Sequence, residues 1–260
     1  GKGRIMNIND AIETLWRTTQ SGHYPPTGLE KVLNFEDAYQ IQLGILERHI
    51  TAGEQLAGWK VGLSSDATRH MFGLDAPVSA YLLASRRFES GQTFAYSSIS
   101  KPIIESELCI IMSQPLKGPG ITKEEALAAV GGAAPALELV DMRFNIGADL
   151  PLGVADGVAQ WGFVTGSAVT PYPTDLDLGA MTAETKRNGE VVASVQGKDA
   201  IDDQIQTVAW LANHLAHYDL ALEAGQCIMT GSMTKPTPIE KDDTWQTTFS
   251  SIGTVSATFE

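Results

Sequence analysis

One largely apolar segment carries two acidic residues in a pattern that few folds can accommodate. Residues 101–112 read Lys-Pro-Ile-Ile-Glu-Ser-Glu-Leu-Cys-Ile-Ile-Met, and a run this rich in β-branched and apolar side chains is typical of a buried strand. Because alternate side chains of a strand point to the same face, Glu105 and Glu107 are expected to project together. Two neighbouring carboxylates in an apolar setting repel each other and lose hydration, so the fold must compensate for both costs.

A hard cation is the usual compensation for such a pair of acids, and oxygen ligands select Mg²⁺, Mn²⁺ or Ca²⁺ over Zn²⁺. A third acid, Glu138, lies between two leucines in a second apolar run at residues 133–140. We therefore predict that Glu105, Glu107 and Glu138 hold one divalent metal ion. The spacing alone leaves an alternative open, because Glu-x-Glu also occurs on the solvated face of antiparallel sheets.

A lysine lies in the middle of another predicted strand. Residues 58–63 read Gly-Trp-Lys-Val-Gly-Leu, and glycines near both ends permit a close backbone approach of the kind found beside ligands. Lys60 has two interpretations on the sequence. It extends to solvent along an apolar surface, or it is desolvated and serves as an acid, a base or a partner for an oxyanion.

The remaining pattern alternates short strands with a few helices. Amphipathic helices are predicted at residues 7–20 and 35–51, and an Asn-Gly pair at 188–189 predicts a hairpin. Many short strands with glycine corners favour a β-rich α+β fold over a doubly wound sheet. We expect residues 6–57 to form an N-terminal helical region packed on a β-rich core of residues 58–260.

Local signals in the middle of the chain are less regular. Thr122 is predicted to cap a helix that ends at Gly131. Residues 147–153 are expected to be irregular, and residues 161–170 are expected to form a strand interrupted by glycine.

Composition and absent motifs narrow the function classes. The chain of 260 residues carries a formal charge of −13, which argues against partners such as nucleic acid or an anionic membrane. Cys109 and Cys227 are expected to be buried free thiols. No apolar run approaches the ~20 residues of a membrane span. With no apolar core of a signal peptide at the N-terminus, a cytoplasmic location is expected.

Three familiar site motifs are missing from the sequence. There is no phosphate-binding glycine motif and no Gly-x-Ser-x-Gly, so neither a nucleotide site nor a serine hydrolase is indicated. No His-x-x-x-His occurs, and His214 and His217 are expected on the exposed side of a helix predicted at residues 207–218. Zinc hydrolysis is therefore unsupported.

Five segments together resemble a known enzyme family: residues 58–63, 104–108, 135–143, 208–213 and 228–234. In this order and spacing, from about Asn34 to the C-terminus, they resemble the 2-keto-4-pentenoate hydratase and 2-oxo-3-hexenedioate (4-oxalocrotonate) decarboxylase group of the fumarylacetoacetate hydrolase-like superfamily. The resemblance implies a mixed β-roll or barrel core, Mg²⁺ or Mn²⁺ held by Glu105, Glu107 and Glu138, and Lys60 as an active-site lysine. It also implies a homo-oligomer, and in this group a complex with another pathway enzyme is a further expectation.

The implied chemistry is that of a small 2-oxo acid, whose carboxylate and ketone oxygens can both bind a metal that stabilises an adjacent enolate. We expect hydration of 2-hydroxypenta-2,4-dienoate in aromatic catabolism, with decarboxylation of 2-oxo-3-hexenedioate as the alternative. An acylpyruvate C–C hydrolase and a non-catalytic partner subunit are further alternatives.

The sequence departs from the family pattern at two places. Hydratases of this group usually carry an acid in a Pro-Asp-Phe-Gly-like segment, where this chain has Val78, and residues 155–159 lack the family's asparagine and serine. We predict that Asp75, Asp156 or Ser79 takes over the missing acid's role. The predicted catalytic residues are Lys60, Asp75 and Asp156, and the predicted substrate contacts are Leu63, Ser79, Arg143, Gly231 and Ser232.

Overall fold

The computed structural model describes residues 7–200 and 203–260, which form two mixed β-sheets with helices packed against them. Met6, the expected first residue of the helical region, lies outside the described residues. The helices are α1 (Ile8–Ser21), α2 (Phe35–Thr51), α3 (Asp66–Met71), α4 (Lys123–Ala129), α5 (Leu150–Ala155), α6 (Gly197–Ala200) and α7 (Gln204–Ala216). No helix among the described residues is long and apolar enough to cross a membrane.

Side-chain caps fix where the N-terminal helices begin. The Asn7 side chain accepts the backbone N–H of Asp10 at the start of α1. Asn34 and Asp37 form a reciprocal capping box at the start of α2. Both predicted N-terminal helices are therefore confirmed. Since α2 packs against α5, the helical region lies directly on the part of the chain that follows the second acid-bearing strand.

The first sheet is built around the strand that carries Glu105 and Glu107. Its strands are β1 (Leu56–Gly62), β2 (Val78–Leu83), β3 (Arg87–Glu89), β5 (Pro102–Met112), β6 (Val130–Asp141), β7 (Gln160–Thr165), β10 (Cys227–Ser232) and β11 (Thr237–Pro238). The order is β2-β1-β10-β5-β6-β7-β3, with β11 also paired to β5. Leu82 of β2 and Phe163 of β7 belong to one buried cluster, so the sheet curls and brings its distant strands together.

The second sheet covers the other face of β5. Its strands are β4 (Gln92–Phe94), β8 (Thr182–Arg187), β9 (Glu190–Gln196), β12 (Thr244–Phe249) and β13 (Gly253–Phe259), in the order β4-β13-β12-β8-β9. Three buried hydroxyls join the two sheets: Ser106 on β5, Thr185 on β8 and Thr247 on β12 lie 2.7 to 3.1 Å from one another. Because alternate residues of β5 face opposite ways, Ser106 meets this sheet while Glu105 and Glu107 face the inside of the curl.

The expected fold class is confirmed, and several local expectations need correction. The fold is β-rich and mixed, with the predicted hairpin at β8 and β9, but the described strands form no closed barrel. The helix after Thr122 ends at Ala129, and both following glycines belong to β6. Gly132 has a steric reason to be glycine within this strand, because a Cβ there would lie 2.8 Å from the Val169 carbonyl oxygen.

Further corrections concern two elements that the sequence analysis missed or extended. Residues 150–155, part of the stretch expected to be irregular, form α5, which Asp149 caps and which has Pro151 in its first turn. The strand expected over 161–170 ends at Thr165.

His214 is half-buried, against expectation, because its ring stacks on Trp210 and packs edge-on against Tyr39. The expected free thiols are confirmed: Cys109 and Cys227 are buried and form no disulfide. The domain boundary after residue 57 stays a prediction.

Candidate metal and substrate site

The three predicted acids meet inside the curled sheet. Glu105 and Glu107 lie on β5, and Glu138 lies on β6 directly opposite Glu105 in the antiparallel ladder. One carboxylate oxygen from each residue lies within 4.8 Å of the other two. Glu107 and Glu138 are buried and Glu105 is half-buried, so the solvated-face interpretation does not describe this cluster.

Burial and mutual repulsion perturb the three carboxyls unequally. Burial and the charge of Glu138 raise the pKa of Glu105 to about 7, and the same two causes raise the pKa of Glu107 well above its ordinary value. Burial alone would raise the pKa of Glu138, but opposing effects, of which the positive charge of Lys60 is the largest, bring that pKa below its usual value. Without a cation, the cluster therefore carries protons in place of part of its negative charge.

Lys60 lies beside the acids rather than in solvent. Only 4 % of the residue is exposed. Its Nζ lies 2.5 Å from Glu138 Oε1, in an ion pair outside hydrogen-bond geometry. The same Nζ donates a 2.8 Å hydrogen bond to the main-chain carbonyl of Val158. Lys60 therefore sits as a buried cation at the edge of the acid cluster.

The donor set fits a hard divalent cation. Its atoms are carboxylate oxygens from three separate side chains, which suits ions such as Mg²⁺ and Mn²⁺. Glu107 Oε1 accepts the main-chain N–H of Gly231 at 2.9 Å, which orients this carboxylate. Glu107 Oε2 is buried and has no hydrogen-bond partner among the described residues. A buried carboxylate oxygen without a partner is costly, and a bound cation would satisfy it.

A cavity of about 530 Å³ opens above Lys60, Glu105 and Glu138. Its walls are largely apolar and include Leu63 and Val78, and Ser232 also lines it. Val78 lies two pairs further along the β1–β2 ladder than Ala80, which pairs with Lys60. Because both side chains point to the same face, Val78 and Lys60 are diagonal cross-strand neighbours. An acid at position 78 would therefore lie beside Lys60, and this chain has an apolar wall there.

Six of the predicted site residues do not line this cavity: Asp75, Ser79, Glu107, Arg143, Asp156 and Gly231. Glu107 and Gly231 still lie at the acid cluster, where the Gly231 N–H donates to the Glu107 carboxylate. Arg143 Nε pairs with Asp156 Oδ2 at 3.0 Å, and burial raises the pKa of Asp156 despite the opposing charge of Arg143. The Ser79 N–H donates to the Tyr39 hydroxyl at 3.3 Å. Asp75 is exposed and lines a second cavity of about 640 Å³ on the other side of Val78. The structure thus does not bring Asp75, Ser79, Arg143 or Asp156 to the acids.

Sequence reasoning missed other residues that line the cavity. Ser64, Ser65, Thr68 and Asn145 supply neutral polar groups, and Asp199 and Lys235 supply exposed charges. The Val158 carbonyl that accepts from Lys60 gave no sequence signal, since it is a main-chain atom of an ordinary apolar residue. The polar residues before α3 carried one weak signal: Ser65 is placed to cap a helix, which brings Ser64, Ser65 and Thr68 to the end of β1.

Comparisons with known proteins show which families and enzymes the chain is similar to. A profile of the fumarylacetoacetate (FAA) hydrolase C-terminal family matches residues 76–260. The 2-oxo-hept-4-ene-1,7-dioate hydratase of Escherichia coli is 33 % identical over 87 % of both chains. The 4-oxalocrotonate decarboxylase of Pseudomonas sp. (strain CF600) is 32 % identical over 87 % of this chain and 86 % of its own.

A solved structure extends the similarity to three dimensions. The 4-oxalocrotonate decarboxylase of Pseudomonas putida G7, complexed with magnesium and adipate, matches with a TM-score of 0.89 and 28 % identity. The match covers 99 % of this chain and 100 % of that one. The helical region and the curled sheet are therefore both shared with that decarboxylase.

Proposed function

Since the chain belongs to the fumarylacetoacetate hydrolase C-terminal family, in its group of hydratases and decarboxylases, we propose that it is a metal-dependent lyase that decarboxylates 2-oxo-3-hexenedioate. The observation that carries the choice of reaction is the apolar wall at Val78 beside Lys60. The family resemblance implies an acid at this place in the hydratases, and hydration needs a group that activates water.

Glu105, Glu107 and Glu138 are the residues that would hold Mg²⁺ or Mn²⁺. Such an ion, when bound, would supply Lewis-acid stabilisation of the negative charge that develops on the ketone oxygen of a 2-oxo acid. The related decarboxylase structure contains magnesium and adipate, a six-carbon diacid. That complex supports a diacid of this length as the substrate class for the cavity.

In the proposed reaction the bond between C5 and the C6 carboxylate breaks. Carbon dioxide leaves, and the electron pair moves through the conjugated system to the oxygen on C2. Protonation of that oxygen yields 2-hydroxypenta-2,4-dienoate. The apolar wall at Val78 excludes water from the departing carboxylate, and loss of hydration raises the energy of the charged ground state relative to the more dispersed transition state.

Lys60 is placed to manage the charge on the C2 oxygen. An ammonium group has three N–H donors. Its partners among the described residues are the Val158 carbonyl and the Glu138 carboxylate. A third N–H is therefore available to the substrate, where it stabilises the developing oxyanion and delivers the proton.

Hydration of 2-hydroxypenta-2,4-dienoate is the second candidate, favoured by a separate observation. Ser64, Ser65, Thr68 and Asn145 provide hydroxyl and amide groups in the cavity lining that could hold a water molecule. The hydroxyls and the amide are weak bases, so we expect hydration to be the slower reaction.

The test uses the purified protein with Mg²⁺ or Mn²⁺ and each substrate separately. We expect carbon dioxide and 2-hydroxypenta-2,4-dienoate from 2-oxo-3-hexenedioate, measured by gas release and dienoate absorbance. Formation of a 4-hydroxy-2-oxo acid from the dienoate, with no carbon dioxide from the diacid, would instead establish the hydratase. Lys60→Met is the matched loss-of-function variant, since it keeps the length of the buried side chain and removes its charge.

A further inference from the structure

Three consecutive residues at the end of the α5 segment adopt the left-handed backbone conformation. The φ angles are 81° at Gly157, 54° at Val158 and 56° at Ala159. Glycine adopts this region freely, but a β-branched residue such as valine is an outlier there. Such strain persists only where surrounding contacts determine the conformation, and it concentrates at functional sites.

The contacts that determine this conformation come chiefly from Arg143. Its Nε donates to the Asp156 carboxylate at 3.0 Å and its Nη2 to the Asp156 main-chain carbonyl at 3.1 Å. Its Nη1 donates to the Gln160 carbonyl at 2.9 Å. One guanidinium fork thus holds both ends of the left-handed segment, and the planar group of arginine is suited to do so.

Neighbouring main-chain bonds fix the remaining polar groups of the segment. The Val158 N–H donates to the Gly153 carbonyl at 2.8 Å, and the Ala159 carbonyl accepts the Asp141 N–H at 2.9 Å. The Val158 carbonyl is left to point at Lys60, whose Nζ donates to it at 2.8 Å. The strained turn thus presents one carbonyl to the buried lysine of the acid cluster.

The N-terminal helical region closes over this arrangement. The Tyr24 ring lies 5.4 Å from the Arg143 guanidinium carbon, and burial and the charge of Asp156 raise the pKa of Tyr24. Arg143 is therefore enclosed by the loop between α1 and α2 and does not line the cavity beside Lys60.

We propose that Arg143 and Val158 are positioning residues, which hold the left-handed segment so that the Val158 carbonyl fixes Lys60 Nζ against Glu138. The inference rests on the proposed function, because Lys60 is placed there to act on a 2-oxo acid. Without the guanidinium fork, Val158 relaxes to an ordinary φ, its carbonyl turns away and Lys60 loses its place beside Glu138.

The test compares Arg143→Lys with two second-site variants. Arg143→Lys keeps the buried charge opposite Asp156 but loses the fork, and we expect kcat to fall about tenfold or more with a smaller change in KM. Adding Val158→Gly is expected to restore most of kcat, because glycine adopts the left-handed conformation without the fork. Ser251→Gly is the matched control, since Ser251 also has a positive φ of 65° but is exposed and remote from the cavity.

Recovery of kcat by Val158→Gly and not by Ser251→Gly supports the positioning role, with thermal unfolding recorded for every variant. Full activity in Arg143→Lys, or equal effects of the two glycine variants, overturns it. A crystal structure of Arg143→Lys gives a readout without turnover: we expect Lys60 Nζ beyond hydrogen-bond distance of the Val158 carbonyl. An unmoved Lys60 contradicts the inference, whereas a wild-type protein inactive on both substrates contradicts only the proposed function.

Discussion

At the residue scale, the site depends on the charge balance between buried Lys60 and three acids, of which Glu107 and Glu138 are buried and Glu105 is half-buried. Lys60 lies 2.5 Å from Glu138 Oε1, while Glu107 Oε2 has no partner among the described residues. Removing one member of such a buried set leaves the others uncompensated, so single substitutions here are expected to affect metal binding and catalysis together.

Val78 offers a direct test of what separates decarboxylation from hydration. In Val78→Asp a carboxylate would lie diagonally across from Lys60, where it could activate water and would repel the departing carboxylate. We expect carbon dioxide release to fall about tenfold or more, and hydration of the dienoate to rise. Val78→Ala is the control, because it makes the wall smaller without adding charge. An unchanged ratio of the two activities in Val78→Asp would contradict the proposed role of the wall.

The pH dependence of the metal-free protein follows from Glu105. Its pKa is about 7 in the folded chain against an ordinary 4.5, so the folded state binds more protons between these values. The stability of the metal-free protein should therefore fall as the pH rises from about 4.5 to about 7. The lowered pKa of Glu138 acts in the opposite direction, and only below its ordinary value.

Thermal unfolding with a chelator and with Mg²⁺ measures this effect. We expect the rise in Tm caused by Mg²⁺ to grow with pH over this range, because protons compete with the ion for the carboxylates. Glu107→Gln should flatten the metal-free profile, because it removes a second carboxyl whose pKa burial and Glu138 raise, and it should abolish most of the Mg²⁺ effect. A Mg²⁺ effect independent of pH, or undiminished in Glu107→Gln, would show that the ion binds elsewhere.

At the element scale, β5 carries the site on one face and the contact between sheets on the other. Glu105 and Glu107 face the cavity, while Ser106 forms the hydroxyl triangle with Thr185 and Thr247. The position of both carboxylates is therefore coupled to the packing of the second sheet.

Thr247→Val tests the hydroxyl triangle. The substitution removes two of its three hydrogen bonds at a fully buried position, and we expect unfolding to become easier by about 1–2 kcal/mol. For a chain of this size that corresponds to a fall in Tm of about 2–8 °C. Thr248→Val is the control on the same strand, because its hydroxyl is exposed. Equal effects of the two substitutions would show that the triangle contributes nothing.

The elements differ in how far the sequence determines them. Alternation along β5 was enough to place Glu105 and Glu107 on one face, and Gly58 did mark a close backbone approach. The approaching atom, however, belongs to the neighbouring strand, since a Cβ on Gly58 would lie 1.9 Å from the Cys227 carbonyl oxygen. No local pattern predicts that β6 pairs Glu138 with Glu105, because pairing across a sheet depends on the tertiary fold. The left-handed Val158 was unpredictable for the same reason.

At the scale of the whole molecule, the overall negative charge repels an anionic substrate, whereas positive groups at the site attract it. The chain carries a formal charge of −13, so a dianion gains nothing from the overall field. Lys60 and a bound cation must supply the local attraction, with exposed Lys235 at the cavity. The homo-oligomer and the complex with another pathway enzyme, which the family resemblance implies, stay predictions. Exposed apolar side chains such as Met71 and Phe72 are the places to examine first.

The central feature of the proposed site is one divalent ion held jointly by three glutamates beside Lys60. A crystal structure of the protein soaked with Mn²⁺ and pyruvate, with anomalous scattering recorded from the manganese, tests this directly. We expect one anomalous peak about 2.0–2.3 Å from carboxylate oxygens of Glu105, Glu107 and Glu138, with pyruvate bound next to Lys60. A peak away from these three residues, or pyruvate bound with no manganese at the cluster, would contradict the account.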